Sequence, residues 1–148
     1  MQIVDYQEKY RDDMIFMVLE SKNSQGFVPR LNSDLLDVRS NYLNLGTRFW
    51  LAIDDNDRVI GCLGFNVMGA GTAKLHRFYI KANLKRTGIG SALLKHAEDY
   101  IFGIGYREIV VHIGGNEYED ARKFFPARGY VEYQSSWLRK IPGWLIFI

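Results

Sequence analysis

Hydrophobic residues recur at helical spacing in four segments of the 148-residue chain. In the first segment, Met14, Met17 and Val18 fall on one face of a helix. In the second segment, Ser33 is placed to cap a helix that Gly46 terminates. The pattern predicts helices over residues 7–20, 33–45, 88–104 and 117–127, with a loop over residues 21–31.

Apolar and β-branched runs bounded by turn residues predict strands between and after these helices. The run of Ile109, Val110 and Val111 lies between Gly105 and Gly114. A near-continuous apolar run of this kind is typical of a strand buried on both faces. Seven strands are predicted, over residues 3–5, 49–53, 59–67, 73–81, 108–113, 130–138 and 144–148.

The resulting order, β-α-α-β-β-β-α-β-α-β-β, predicts an α/β (α+β) fold in which helices pack on a mixed sheet. No internal repeat, low-complexity segment or Pro/Gly/Ser-rich linker divides the sequence. We therefore predict a single domain over residues 1–148.

Composition and charge narrow the functional class. The chain is 47% hydrophobic and 24% charged, and its formal net charge is +2, too small to indicate a nucleic-acid binder that neutralises phosphates. Cys62 is the single cysteine, which leaves no intrachain disulfide and no cysteine-based metal site, and we expect no metal. Neither a secretory signal nor a membrane-spanning run is evident, so a cytoplasmic protein is expected.

The segment that carries chemistry is IKANLKRTGIGSALL, residues 80–94, which joins a predicted strand to the third helix. A helix N-terminus has unpaired N–H groups and a partial positive charge, so it stabilises a bound anion. Gly88 and Gly90 permit close approach to the backbone, and Lys85 and Arg86 add positive charge. The 85–90 turn is therefore a candidate pyrophosphate site, and a purely structural turn is the alternative. The spacing fits neither a Walker loop nor a three-glycine dinucleotide fingerprint.

Two blocks of the sequence resemble the GNAT superfamily of N-acetyltransferases. The family's Arg/Gln-x-x-Gly-x-Gly/Ala signature is matched by the 85–90 turn, with Lys85 in place of the usual first residue and Ala82 where a proline is common. A second block contains an alanine, an aromatic pair and a Gly-Phe. It is matched by Ala121, Phe124, Phe125, Gly129 and Tyr130. The resemblance implies a mostly antiparallel sheet of about seven strands, with about four helices packed on both faces.

The resemblance also implies acetyl-CoA as acyl donor, with its pantetheine arm in a cleft where the fourth and fifth strands diverge. Ile80 would polarise the thioester carbonyl through its N–H. The implied acetyl-CoA contacts lie in the fourth strand, the turn, the following helix and the second block. They are Phe78, Tyr79, Ile80, Lys85, Arg86, Thr87, Gly88, Ile89, Gly90, Ser91, Asn116 and Phe125.

Acetyl transfer to an amine also requires proton movement, because an alkylammonium has no lone pair with which to attack. Many family members place a tyrosine acid where this chain has Phe125. Tyr118 is a candidate substitute and His112 a candidate base. Alternatively, Tyr118 is a surface tyrosine and His112 is a buried structural histidine. Asn116 in that case only caps the following helix.

The acceptor is predicted to be a primary amine of a small molecule or peptide, attacked directly in a ternary complex. By resemblance, residues 21–32 and 135–143 form the acceptor pocket, and Asp34 and Asp37 are candidates to attract a cationic amine. A non-catalytic acyl-CoA binding module and an enzyme that uses another acyl donor are the alternatives. We expect a monomer, or a homodimer formed through an exposed edge of the 144–148 strand.

Overall fold

The chain forms a mixed α/β fold in a computed structural model that describes residues 1–114 and 119–143. The predictions for Asn116, Tyr118 and the 144–148 strand lie outside the described residues. The strands are β1 (Gln2–Asp5), β2 (Phe49–Ile53), β3 (Val59–Gly69), β4 (Thr72–Ile80), β5 (Glu108–His112), β6 (Val131–Gln134) and β7 (Trp137–Lys140). The α-helices are α1 (Arg11–Ser24), α2 (Val38–Asn41), α3 (Ile89–Gly103) and α4 (Glu119–Phe124).

The strands of the described residues form one sheet of seven, in the order β1-β2-β3-β4-β5-β7-β6. The pairs β1–β2, β2–β3, β5–β7 and β6–β7 are antiparallel, whereas β4 and β5 run parallel. The described β4–β5 register runs from Thr72 opposite Glu108 to Lys74 opposite Val110. The predicted mixed, mostly antiparallel sheet is confirmed.

The chain divides into two compact units, and β3, β4 and α3 contribute residues to both. The first unit comprises residues 1–66 and 76–97. Its core contains the predicted apolar face of α1, with Met14, Met17 and Val18 fully buried. Every residue of β2 is also buried. Asp13 accepts hydrogen bonds from the Arg58 side chain and from the Val59 N–H at 2.8 Å, and so ties α1 to the start of β3.

The predicted loop over residues 21–31 is wrong in its first four residues, because α1 continues to Ser24. Ser21 is a buried polar residue and extends the buried face of the helix by one turn. The helix ends where Gly26 takes a left-handed φ of 88°. The N–H of Phe27 then bonds to the Lys22 carbonyl, and that of Gly26 to the Asn23 carbonyl, which is the Schellman arrangement.

The predicted second helix is interrupted. Only Val38–Asn41 is α-helical, between a 3₁₀ turn at Ser33–Leu36 and another at Leu43–Leu45. Ser33 is not its cap, because the Asp37 carboxylate accepts the Ser40 N–H. An aspartate that bonds locally to the backbone competes with continuation of a helix.

The second unit comprises residues 67–75 and 98–148. The strand predicted over residues 130–138 is wrong as one element, because a turn at Ser135 and Ser136 divides it into β6 and β7, and Ser136 has a φ of 64°. In β5, Ile109, Val110 and Val111 are buried, as predicted. Ile104, the last residue of the predicted third helix, lies beyond the end of α3 and is 54% exposed.

No helix among the residues that the structure describes is both long enough and apolar enough to cross a membrane.

Candidate acetyl-CoA site

The 85–90 turn connects β4 to the N-terminus of α3, as predicted. A 3₁₀ turn at Ala82–Leu84 follows β4, and α3 begins at Ile89. Arg86 and Gly88 both have left-handed φ values, 66° and 92°. The first hydrogen bond of α3 runs from the Ala92 N–H to the Gly88 carbonyl at 3.0 Å. The N–H groups of Ile89 and Gly90 therefore precede the helical hydrogen-bond ladder, where an anion is favoured.

The side chains of this segment combine exposed positive charge with a buried anchor. Arg86, Thr87 and Gly88 are exposed, and Lys85 is half-buried. The Thr87 hydroxyl donates to the Leu84 carbonyl and braces the turn. Ile89 is buried at 7% exposure. The turn thus presents backbone donors and basic side chains on a fixed helix end.

Gly61 in β3 lets the start of α3 come close to the sheet, a role that was not predicted from the sequence. A Cβ at Gly61 would lie 2.9 Å from Leu93 Cδ1, 3.1 Å from Ile80 Cδ1 and 3.2 Å from Ile89 Cγ2. The absence of a side chain there lets α3 and the end of β4 pack against the same point of β3. One sign of this role is visible in the sequence, because a glycine stands inside the run of residues predicted to form a strand.

The predicted acetyl-CoA contacts in β4 directly precede the turn. Phe78, Tyr79 and Ile80 are half-buried at the carboxyl end of the strand. The N–H of Lys81 bonds to the Ile60 carbonyl at 2.9 Å. The structure therefore brings the candidates from Phe78 to Ser91 into one continuous strand-turn-helix segment of the first unit.

Arg77 has a left-handed φ of 55° within β4. Its guanidinium donates to Asp34 from Nε at 3.0 Å and from Nη2 at 2.9 Å. Its carbonyl accepts the Cys62 thiol at 3.2 Å. A non-glycine residue in this conformation is held there by its surroundings. No periodicity in the sequence indicates an arginine in left-handed conformation, so this feature was not predicted.

Asp34 is neutralised by protein groups. Burial raises the pKa of Asp34, but the hydrogen bonds from Arg77 and Tyr42 outweigh it and hold that pKa below its ordinary value. The Tyr42 hydroxyl donates to Asp34 at 2.6 Å, and burial followed by this bond raises the pKa of Tyr42. Asp34 and Asp37, suggested above to attract a cationic amine, are thus engaged in an ion pair and a helix cap.

Lys22, Asn32 and Tyr79 form a polar cluster beside Asp34 and Arg77. Lys22 Nζ donates to the Asn32 side-chain oxygen and to the Arg30 carbonyl, both at 2.6 Å. It also lies 5.7 Å from the centre of the Tyr79 ring. The Asn32 amide donates to the Tyr79 hydroxyl at 3.5 Å.

The second unit holds the remaining described candidates. His112, at the carboxyl end of β5, is exposed, so the alternative of a buried histidine is wrong. Its ring lies 4.8 Å from that of Trp137, between ring centres. Phe125 is 4% exposed and packs edge-to-face on Tyr130. The Tyr130 hydroxyl donates to Glu98 at 2.7 Å.

A comparison with protein-family models decides the family. The model described as the acetyltransferase (GNAT) family matches residues 12–130. The chain belongs to this family.

Solved structures agree on the fold of this GNAT chain. A GNAT-family acetyltransferase from Staphylococcus aureus Mu50 superposes with a TM-score of 0.83 at 20% identity, over 95% of this chain and 98% of the other. The PaiA N-acetyltransferase from Thermoplasma acidophilum, solved in complex with coenzyme A, gives a TM-score of 0.73 at 20% identity, over 96% of this chain and 100% of the other.

A curated relative is similar in sequence. A probable N-acetyltransferase 14 from Xenopus tropicalis is 33% identical over 81 residues, which cover 53% of this chain. The matched region spans 39% of the length of that relative.

Proposed function

We propose that the chain transfers an acetyl group from acetyl-CoA to a primary amine of a small molecule or peptide, by direct attack in a ternary complex. The observation that carries the proposal is the 85–90 turn, which presents the N-terminus of α3 beside the end of β4. Membership of the GNAT family supports the same reaction. The coenzyme A held by the Thermoplasma relative supports the choice of donor.

In this proposal, the pyrophosphate of acetyl-CoA binds the backbone N–H groups at the start of α3. The positive end of a helix of 15 residues and the charges of Lys85 and Arg86 favour the anion. The pantetheine arm runs along Phe78, Tyr79 and Ile80, and the thioester carbonyl accepts the Ile80 N–H. A donor aimed at that oxygen stabilises the negative charge that develops on it.

The reaction then needs a neutral amine and a leaving thiolate. The amine nitrogen attacks the acetyl carbon, an N–C bond forms, the C–S bond breaks, and the amine loses a proton. An ordinary thiol pKa of about 8.5 lets the thiolate leave with little protonation. Removal of the amine proton and positioning are therefore the main demands on the protein.

We propose His112 as the base, because it is exposed at the end of β5 and an imidazole accepts a proton near neutral pH. Phe125 has no proton to donate, and the Tyr130 hydroxyl is already directed to Glu98. Tyr118 remains the proposed acid. A Tyr118→Phe variant with unchanged maximal rate and pH profile would remove that assignment.

The test is transfer of an isotopically labelled acetyl group from acetyl-CoA to a panel of primary amines, with released thiol measured in parallel. The proposal expects one labelled amide and one free thiol per turnover, and no thiol release without an amine. Binding of acetyl-CoA without transfer to any amine would instead indicate the non-catalytic module. Tighter binding and faster transfer with a longer acyl thioester would indicate a different donor.

A further inference from the structure

Lys22 is held in a defined position at the end of α1. It lies in the last turn of the helix, where the partial negative charge favours a cation. The N–H of Phe27 bonds to its carbonyl at 3.4 Å, within the Schellman motif at Gly26. Its ammonium group reaches across to the Arg30 carbonyl and the Asn32 side-chain oxygen. The backbone and the charged end of Lys22 are therefore both fixed.

The hydrogen-bond partners of Lys22 do not supply a negative charge to balance its ammonium group. An ammonium group has three N–H donors, and the two protein oxygens that it contacts are both neutral. Across residues 1–114 and 119–143, no carboxylate forms an ion pair with Lys22. One N–H donor, on the side of the Tyr79 ring, is not taken up by an oxygen of these described residues, and the positive charge has no paired carboxylate among them.

The surrounding charges leave an excess of positive charge. Burial, followed by the charge of Arg77, lowers the pKa of Lys22, and Asp34 opposes this only in part. The Asp34 carboxylate is itself occupied by the bidentate pair with Arg77 and by the Tyr42 hydroxyl. An anion at the third donor of Lys22 would be favoured by both cations, since charge-assisted hydrogen bonds are the stronger ones.

Lys22 lies beside the part of β4 that is proposed to bind the thioester. Its Nζ lies over the ring of Tyr79, the residue that precedes Ile80 in β4. Successive side chains in a strand point to opposite faces, and Ile80 points to Ile89 and Leu93 of α3. Lys22 is thus on the face of β4 away from α3, one residue from the N–H assigned to the thioester carbonyl.

From this arrangement we infer that the acceptor is an amine that also carries a carboxylate, and that Lys22 pairs with this carboxylate. The inference rests on the proposed acetyl transfer at Ile80 and adds the substrate class. A carboxylate on the acceptor would supply the negative charge that Lys22 lacks. If Lys22 served only to hold residues 30 and 32 in place, its two contacts with neutral oxygens would be sufficient.

The experiment compares matched substrates that differ in charge: leucine with leucinamide, and γ-aminobutyrate with its amide. The quantity measured is the ratio of kcat/KM for the acid to kcat/KM for the amide, in the wild type and in Lys22→Met. Since the amine pKa of each substrate is the same for both proteins, its effect cancels in the comparison of ratios. Lys9→Met, an exposed lysine of the same unit, is the control.

We expect at least one acid to be preferred by the wild type, and Lys22→Met to lower the acid-to-amide ratio about ten- to a hundredfold, the range for a hydrogen bond to a charged group. Lys9→Met leaves the ratio unchanged. If Lys22→Met lowers kcat/KM equally for acid and amide, Lys22 is structural and the inference is wrong, although acetyl transfer stands.

Calorimetric titration of the four substrates into the protein saturated with coenzyme A gives a readout that does not depend on turnover. Tighter binding of an acid than of its amide, lost in Lys22→Met, supports the inference even if no amine is acetylated, which would contradict the proposed function alone. No Lys22-dependent preference in either measurement overturns the inference.

Discussion

The Asp34 carboxylate accepts hydrogen bonds from Arg77 in β4 and from Tyr42 after α2. The side chains of Asp34 and Arg77 are only 19% and 33% exposed. The pair of Arg11 and Asp12 has the same chemistry, but the Asp12 side chain is 88% exposed. Exposed pairs contribute little to stability, whereas removal of one member of a buried pair leaves its partner unsatisfied.

We predict that Asp34→Asn lowers the free energy of unfolding by about 1–3 kcal/mol. Asp12→Asn should change it by less than about 0.5 kcal/mol. The folded-state pKa of Asp34 is below its unfolded value, so its stabilisation is complete above about pH 4 and is lost as the pH falls through the folded-state pKa. Urea denaturation across this pH range should show a weaker acid dependence in Asp34→Asn. Equal effects of the two variants would contradict this account.

At the same scale, His112 and His96 provide a matched pair of exposed histidines, each in contact with a tryptophan ring. If His112 is the base, His112→Gln should lower kcat/KM about a hundredfold or more and remove the limb of the pH–rate profile that reports a base. His96→Gln should leave both unchanged. A normal pH profile in His112→Gln would exclude the assignment.

At the scale of elements, the connection between β4 and α3 depends on Gly88. Its φ of 92° is strained for any residue with a Cβ, although a Cβ there would meet no atom within 4 Å. The requirement for glycine is therefore conformational and does not come from packing. Gly103 in α3 also has free space but no positive φ, which makes it a control for the loss of a glycine.

We predict that Gly88→Ala weakens acetyl-CoA binding about five- to thirtyfold, because a left-handed conformation costs an alanine about 1–2 kcal/mol and the free turn relaxes away from it. Gly103→Ala should bind acetyl-CoA like the wild type. Isothermal titration calorimetry of the three proteins measures this difference. Unchanged affinity in Gly88→Ala would mean that the turn does not hold the donor.

The hydrophobic pattern predicted correctly those elements whose position depends on one buried face or on one nearby glycine. The α1 face and the β2 bounds are confirmed, and α3 begins at Ile89, one residue after the predicted start at Gly88. Each of these features follows from periodicity or from a glycine near the element. The interruption of α2 was not predictable in this way, since Leu35, Val38 and Tyr42 are buried at helical spacing whether or not the helix is continuous. The side chain of Asp37 decides the outcome there, through one hydrogen bond to the backbone.

At the scale of the whole molecule, the family resemblance predicted more of the candidate site than the hydrophobic pattern did. The pattern gave the order of elements but not the insertion of β7 between β5 and β6, which depends on pairings distant in sequence. The resemblance implied the donor site, and the strand, turn and helix it named form one segment. The contacts of Arg77 with Asp34 and of Lys22 with Asn32 could not be predicted from the sequence, because only the tertiary structure brings these side chains together.

The central claim, that acetyl-CoA binds at the N-terminus of α3, is tested most directly by a crystal structure of the chain with coenzyme A. We expect pyrophosphate oxygens within hydrogen-bond distance of the backbone N–H groups of Ile89 and Gly90, and the pantetheine arm along Phe78, Tyr79 and Ile80. Coenzyme A bound elsewhere, with the 85–90 turn unoccupied, would contradict it.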